Sequence, residues 1–449
     1  MSYNLTDLGN SQLFADIAKD RLLYCPDMGK SGTWYSYNGK QWVKDTGVLK
    51  LVVKEVINKL HSTANSPEAR KWAYHSESKQ AIDAMLSLAK LDNKVVRHLT
   101  DFNPDDKMKL NVLNGVVDLE TGTLRPHNVK DYATNIIPIR YDTRATCTRW
   151  LKFLDDIMCS RKSLVSFLQK AIGYTLTASV EEQVMFIMYG SGANGKTTFI
   201  EIIRDLLGTY SKASNPKTLM VQAGGAIRND LARLQGSRFV SAVETSGKGK
   251  LDETMIKQIT GDDVITARYL YSENIEFRPT WKVWLSTNHR PIIEGIDYGI
   301  WRRMILIPFD ATFKGANKVA NMRELLREEL EGILRWAVEG CLIWQSEGLN
   351  TPEEIAIATR EYQEEMDIIG PFLQDTCFIH PEATVPIKLL YEKYLEYCKA
   401  NMEKPVDKRS FSKLIMARHG ITQARSSKER FWRGIGIASK IVLSNLEDE

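Results

Sequence analysis

The spacing of apolar residues changes period several times along this chain, and the changes divide it into three stretches. "LGNSQLFADIAKDRLLY" (8–24) repeats apolar residues every three or four positions, the period of an amphipathic helix. "TWYSYNGKQWVKD" (33–45) reads as a hairpin turned at Asn38-Gly39, with Trp34, Tyr35, Tyr37 and Trp42 as its packed face. Amphipathic helices are expected over 48–62 and 76–100, and "LNVLNGVVDLETGTLRPHN" (110–128) predicts strand, turn at Thr121-Gly122, strand. Two helical stretches without a strand fill 146–180.

From there the pattern alternates. Strands are predicted at 183–189, 238–243, 281–286 and 303–308, with helices at 196–207 and 252–260. Alternation of this kind indicates an α/β unit with a parallel sheet. An acidic helical stretch (318–367) leads to Gly370-Pro371, a boundary signal, and the last eighty residues read as short helices ending in "FWRGIGI". The expected organisation is a mixed α+β domain at 1–145, a helical collar with an α/β core at 146–369, and a C-terminal domain at 370–449. No internal repeat or low-complexity segment interrupts it.

Composition changes this picture in two places. The 449 residues are 43% hydrophobic and 26% charged, ordinary globular material for several cores, and the formal charge is only +4. Residues 401–440, however, carry ten Lys/Arg against three acids, the balance of a module that touches nucleic acid. The six cysteines are scattered with no C-x-x-C pair, so neither a zinc site nor a disulfide framework is expected. The start lacks the pattern of a signal peptide, and no run nears the roughly 18 apolar residues of a membrane span. A soluble, cytoplasmic protein is the expectation.

The candidate chemistry sits where the alternation begins. "GSGANGKTT" supplies Gly190, Ser191, Gly192, Ala193, Asn194, Gly195, Lys196, Thr197 and Thr198, and fits G-x-x-x-x-G-K-[ST] at every fixed position. Glycines let backbone N–H groups curl around phosphates, and the following helix points its positive end at the anion. Lys196 is placed to reach the β and γ phosphates of ATP and Thr197 to ligate Mg²⁺, while Thr198 reads as the next helix residue. "SRFVSAVET" is a strand ending in Glu244, an acid for the metal or the attacking water. "WKVWLSTNHRP" is a strand ending at Asn288, whose amide could orient that water. "YGIWRRMILIPF" sets Arg302 and Arg303 before a strand, where one could serve as an arginine finger for a neighbouring subunit.

Together these elements resemble the superfamily 3 helicases, an AAA+ branch found in viruses, phages and plasmids. The similarity is to the phage and plasmid primase-helicase group and to the poxvirus helicase-primase ATPase. It rests on "GSGANGKTTFIEII", "LARLQGSRFVSAVET", "LDETMIKQITGDDVITARYLY", "FRPTWKVWLSTNHRPII" and "DYGIWRRMILIPFD" in order, and on "TDLGNSQLF" and "FLQKAIGYTLT" before them. The resemblance implies an AAA+ P-loop ATPase core with a C-terminal winged-helix domain. Gly190 to Thr197 would be Walker A, Glu244 the Walker B acid, Asn288 the sensor, and Arg302 or Arg303 the finger. Many relatives carry paired acids at Walker B, whereas Thr245 follows Glu244 here; Asp252 or Glu253 are alternative helpers.

The resemblance also implies a hairpin at 264–269 and 275–279 that projects into a ring's central channel and tracks single-stranded DNA. Arg268, Tyr269 and Tyr271 would contact the strand there, with Lys257 on the preceding helix. Lys408, Arg409 and Lys413 would meet DNA at the start of a C-terminal recognition helix. The implied activity is an ATP-dependent replicative DNA helicase that assembles as a homo-hexamer at a mobile-element origin in a bacterial host. A separate primase is expected, because the chain begins almost at the conserved region. The alternative is a nucleotide-switched origin-binding initiator without processive unwinding.

Overall fold

A computed structural model of the chain describes residues 3–29, 31–103, 107–221, 229–244, 249–268, 274–295, 298–314, 319–425 and 429–438. Its centre is a five-stranded parallel sheet. Across it lie Met304–Pro308, Met185–Tyr189, Lys282–Thr287, Phe239–Val243 and Ser211–Ala213, in that order. Register holds the strand ends level: Ser286 pairs with both Met188 and Val243, and Pro308 pairs with Tyr189. All six residues of Lys282–Thr287 are buried, because helices cover both faces of a parallel sheet.

One face carries helices Thr148–Ile157, Lys162–Leu176, Lys196–Leu207 and Leu330–Glu347, and its core runs from Leu110 to Ile355. The residues Leu110, Val112, Val117, Leu119 and Ile137 belong to that same core, so the small sheet Lys109–Val112, Gly115–Asp118, Thr123–Arg125 rests on the collar helices. Helices Lys162–Leu176 and Leu330–Glu347 approach backbone to backbone where Gly173 meets Gly340 and Cys341. The other face has its own core, from Met185 to Tyr362.

At the N-terminal end, helices Asp7–Ala18, Val48–Thr63 and Lys79–Ala89 share a core beside the sheet Leu22–Cys25, Thr33–Tyr37, Trp42–Lys44. The helical spacing of 8–24 does not hold to its end: the helix stops at Ala18, Asp20 takes φ 61°, and Leu22–Cys25 is a wholly buried strand. The stretch 76–100 is also broken. Ser78 accepts a hydrogen bond from Ala81 N–H and starts a new helix, and Val95 and Arg97 bond instead to the backbone of Tyr24.

The C-terminal stretch has a third core, from Ile369 to Ile435. It is not helices alone: Cys377–Pro386 pairs with Arg430–Ile437, which pairs with Thr422–Arg425. Half of the residues of Cys377–Pro386 are exposed, four of them in a row, and its register shifts between Ile379 and Thr384, so it lacks the alternation that betrays a strand. All six cysteines are free. Among the described residues no helix is long and apolar enough to cross a membrane.

A Cβ at residue 173 would overlap the backbone of Gly340 and Cys341. Gly173→Ala should therefore cost about 2–3 kcal/mol in urea denaturation. Gly39→Ala, at a turn with φ 89° and open space around it, should cost only about 1 kcal/mol.

Candidate functional site

Tyr189 ends the buried strand and the chain turns through Gly190–Gly195 into the helix Lys196–Leu207. Gly192 (φ 98°) and Gly195 (φ 84°) take the left-handed conformations that the turn requires, and Ala193 joins them at φ 49°. A side chain at Gly190 would collide with Asn194 Nδ2 and the Phe309 carbonyl. That crowding follows from how the loop is moored: Asn194 Nδ2 donates to Phe309 O (3.0 Å), and Phe313 N–H donates to Ala193 O (2.7 Å). Gly195 supplies no side-chain cap, so the N–H groups of the first helical turn keep their capacity to bind an anion.

Lys196 crosses the loop. Its ammonium donates to Gly190 O (2.7 Å), Asn194 Oδ1 (3.0 Å) and, 92 residues on, Asn288 Oδ1 (3.1 Å). The side chain is only 5% exposed, and burial pulls its pKa down to about 8. Asn288, just past Lys282–Thr287, and Glu244, just past Phe239–Val243, lie at the same carboxyl edge, and Glu244 N–H donates to Ser286 O (2.9 Å). Glu244 is 5% exposed, its Oε2 has no hydrogen-bond partner, and burial raises its pKa. Thr197 is exposed beside the loop. Lys196 and Asn288 thus meet outside the carboxyl ends of the strands, where parallel α/β sheets bind ligands, and Glu244 ends the adjacent strand at that same edge.

Asp252 and Glu253 do not join them. Asp252 caps its helix by accepting from Met255 N–H (3.0 Å), and Glu253 Oε1 accepts from the N–H groups of Glu294 and Gly295 (3.1 and 2.6 Å). Both carboxylates hold backbone, one at the start of its own helix and the other at residues 294 and 295. Thr245 lies outside the described residues.

Arg302 and Arg303 stand at the opposite edge of the sheet. Met304 pairs with Met185, so the loop is a whole strand away, about 16 Å at 3.3 Å per residue. Both guanidinium groups donate to Gln183 Oε1, and Arg303 also donates to Gly299 O. Within one chain neither is brought to Lys196.

A residue that sequence reasoning missed is Arg290, two positions after Asn288. Its guanidinium lies over the rings of Tyr189 (5.0 Å) and Tyr362 (5.9 Å) and pairs with Glu365 (2.5 Å) and Glu361 (3.8 Å). It clamps the Asn288 segment to the strand before the loop and to helix Glu353–Met366. Beyond that helix, Asp367 pairs with Arg418 of the C-terminal unit. A single Arg in a polar turn carries no motif, so only the fold reveals the clamp.

The expected DNA contacts are spread out. Ile265–Arg268 and Asn274–Phe277 form an antiparallel ribbon with Arg268 at its outer end, opposite Asn274. Tyr269 and Tyr271 lie outside the described residues. Lys257 is half-buried on helix Glu253–Thr260. Lys408, Arg409 and Lys413 are exposed on helix Lys408–Met416, whose start is capped by Asp407, and belong to the separate C-terminal unit.

This arrangement can be set beside known proteins. The profile described as "D5 N terminal like" matches residues 11–159, and a family of unknown function, DUF5906, matches 188–303, a span that holds Gly190 through Arg303. A protein of Acanthamoeba polyphaga mimivirus, provisionally named helicase L207/L206, is 25% identical over 435 residues, covering 86% of this chain and 45% of its own length. A Frog virus 3 protein, provisionally named helicase 022R, is 24% identical over 305 residues (64% and 31%). An African swine fever virus protein, provisionally named primase C962R, is 27% identical over 208 residues (43% and 21%). These matches support a primase-helicase family. The chain spans less than half the length of these curated relatives. Among solved structures, the apo A form of the NrS-1 C-terminal region shares the fold, with a TM-score of 0.51 at 10% identity over 97% of this chain and all of that one.

Burying Lys196 leaves a signature in stability. Its folded pKa of about 8 lies below the ordinary 10.5, so between these values the unfolded chain holds more protons and stability rises with pH. Relative to Lys196→Met, the wild type should therefore gain up to ~3 kcal/mol between pH 8 and 10.5 in denaturant titrations without ligand, with the variant the more stable at pH 7.

Proposed function

We propose that the chain is the motor part of an ATP-dependent DNA helicase acting in replication, of the superfamily 3 (AAA+) type. The observation that carries this reading is the Lys196–Asn288 contact, with the buried carboxylate of Glu244 at the same strand edge. The loop N–H groups and Lys196 bind the β and γ phosphates, with Asn288 released to face the γ-phosphate once they are seated. Glu244 holds and deprotonates the attacking water as the bond from the γ-phosphorus to the bridging oxygen breaks; its raised proton affinity suits a base. Thr197 and the orphaned Glu244 Oε2 fit a Mg²⁺ ion, which takes few protein oxygens and otherwise binds phosphates and water, and which neutralises the developing charge.

The position of Arg302 and Arg303, a strand length from their own loop, supports their service to a neighbouring subunit. A site completed in this way requires a head-to-tail interface, which closes into a ring, and six subunits is the proposed number. The ribbon ending in Arg268 would contact single-stranded DNA. The three-helix, three-strand C-terminal unit suits a winged helix whose Lys408, Arg409 and Lys413 meet origin DNA. The names of the viral relatives favour this reading over an initiator that does not translocate.

The test is ATP hydrolysis with and without single-stranded DNA. Wild type should be stimulated by DNA, Lys196→Ala should be inactive, and Glu244→Gln should bind nucleotide yet turn over about 100-fold more slowly. Hydrolysis indifferent to DNA would sink the motor reading.

Sharing of the site is tested by mixing. Lys196→Ala and the Arg302→Ala/Arg303→Ala double variant should each be inactive alone. At equal amounts, about a quarter of the interfaces should pair an intact loop with intact arginines, and activity should return to that fraction. No recovery in freshly assembled mixtures would place the site within one chain.

A further inference from the structure

A cavity of about 680 Å³ lies away from the phosphate loop. Its walls come from three places: the N-terminal unit through Tyr35 and Phe102, the segments before and after the small sheet through Lys107 and Lys130, and the ribbon's feet through Phe277 and Arg278. Arg238, which also lines it, directly precedes the strand Phe239–Val243, so the cavity opens at the amino edge of the central sheet. Tyr189 and the loop are at the other edge, and the cavity is no part of the phosphate site.

Its charge is arranged for an anion. Of the three acids on the wall, Asp131 takes a two-pronged bond from Arg125 (2.9 and 2.7 Å) and Asp262 pairs with Arg278 (3.2 Å), which leaves Glu276 alone against Lys107, Lys109 and Lys130. Lys107 and Lys130 are exposed and pair with no acid among the described residues. Arg238 adds a further cation; it is buried, lies over the Tyr210 ring (4.7 Å) and donates to the carbonyls of Leu176 and Lys109, so it contributes field and a rigid floor. Tyr35 and Phe102, both buried, pack against each other at a tilt (5.0 Å) and stiffen the wall from behind. Exposed cations along an open cleft suit an unpaired polynucleotide, whose phosphates need partners.

The geometry points to a second single-strand contact: the cleft holds a phosphodiester segment of single-stranded nucleic acid on its way to or from the ribbon, with Lys107 and Lys130 each facing a phosphate. This rests on the motor reading above. Continuity supports it, since the strands that leave the cleft at Val264 and Phe277 are the ones that end at Arg268 and Asn274. A strand running along the ribbon enters the cleft without crossing the sheet.

The experiment measures the affinity of the full chain for a fluorescent oligothymidylate as salt is raised. Each phosphate contact on a single strand contributes about 0.7 to the slope of log K against log salt. Lys107→Gln/Lys130→Gln should make the slope shallower by about 1.4, with an unchanged thermal midpoint because both side chains are exposed. Lys50→Gln/Lys54→Gln, which removes two exposed lysines from helix Val48–Thr63, should leave the slope alone. An unaltered slope in the cleft variant overturns the inference while the motor reading stands. So does a variant that loses affinity for free ATP but not for the oligonucleotide. A wild type that binds no oligonucleotide removes both.

Discussion

The ammonium of Lys196 ties the glycine loop to the end of a different strand, adding a polar contact to two strands already paired side by side. A buried cation needs acceptors, and it finds them in the loop that carries it and in Asn288 at the end of a different strand. Satisfying it depends on that pairing: the strand before the loop and the strand before Asn288 are neighbours with level ends. Even so the cation is held at a cost, visible in its lowered proton affinity. A polyanion at the loop would offset that cost.

The sheet then works as a partition. At its carboxyl edge are the loop, Glu244 and Asn288; at its amino edge are Arg302, Arg303, the start of the strand at Lys282 and the cleft. Lys282 is itself buried, donating to Thr177 O (2.6 Å) over the Tyr174 ring, and it pins the collar to that edge. A parallel sheet has two unlike edges because all its strands point one way, and a head-to-tail assembly can bring one edge of a subunit to the other edge of the next.

Arg290 shows how a movement at the loop could reach the C-terminal unit without a long lever. It touches Tyr189 before the loop and Glu361 and Glu365 on the helix that ends at Met366, and the next residue, Asp367, pairs with Arg418. The contacts are contiguous and each is polar or cation–aromatic, so small shifts of Asn288 change real interactions.

Much of this was legible from local order. The glycine loop at 190–195, its helix, the apolar strands and the acid at the end of "SRFVSAVE" are encoded in contiguous residues whose spacing or backbone needs are distinctive, and the helix 196–207 falls where the pattern puts it. Strand Cys377–Pro386 escaped because four exposed residues in a row interrupt its alternation, and the helix signal of 8–24 ran too far because four buried residues in a row suit either period. What Asp252 and Glu253 bind was a tertiary matter: only the backbone groups that fold against them decide that they cap and brace. So was the separation of Arg302 and Arg303 from their own loop, and the meeting of Lys196 with Asn288. Local sequence sets the conformation of each piece because propensity and periodicity act over a few residues. Neighbours in the sheet are chosen by burying both of its faces at once, and that choice involves residues a hundred positions apart.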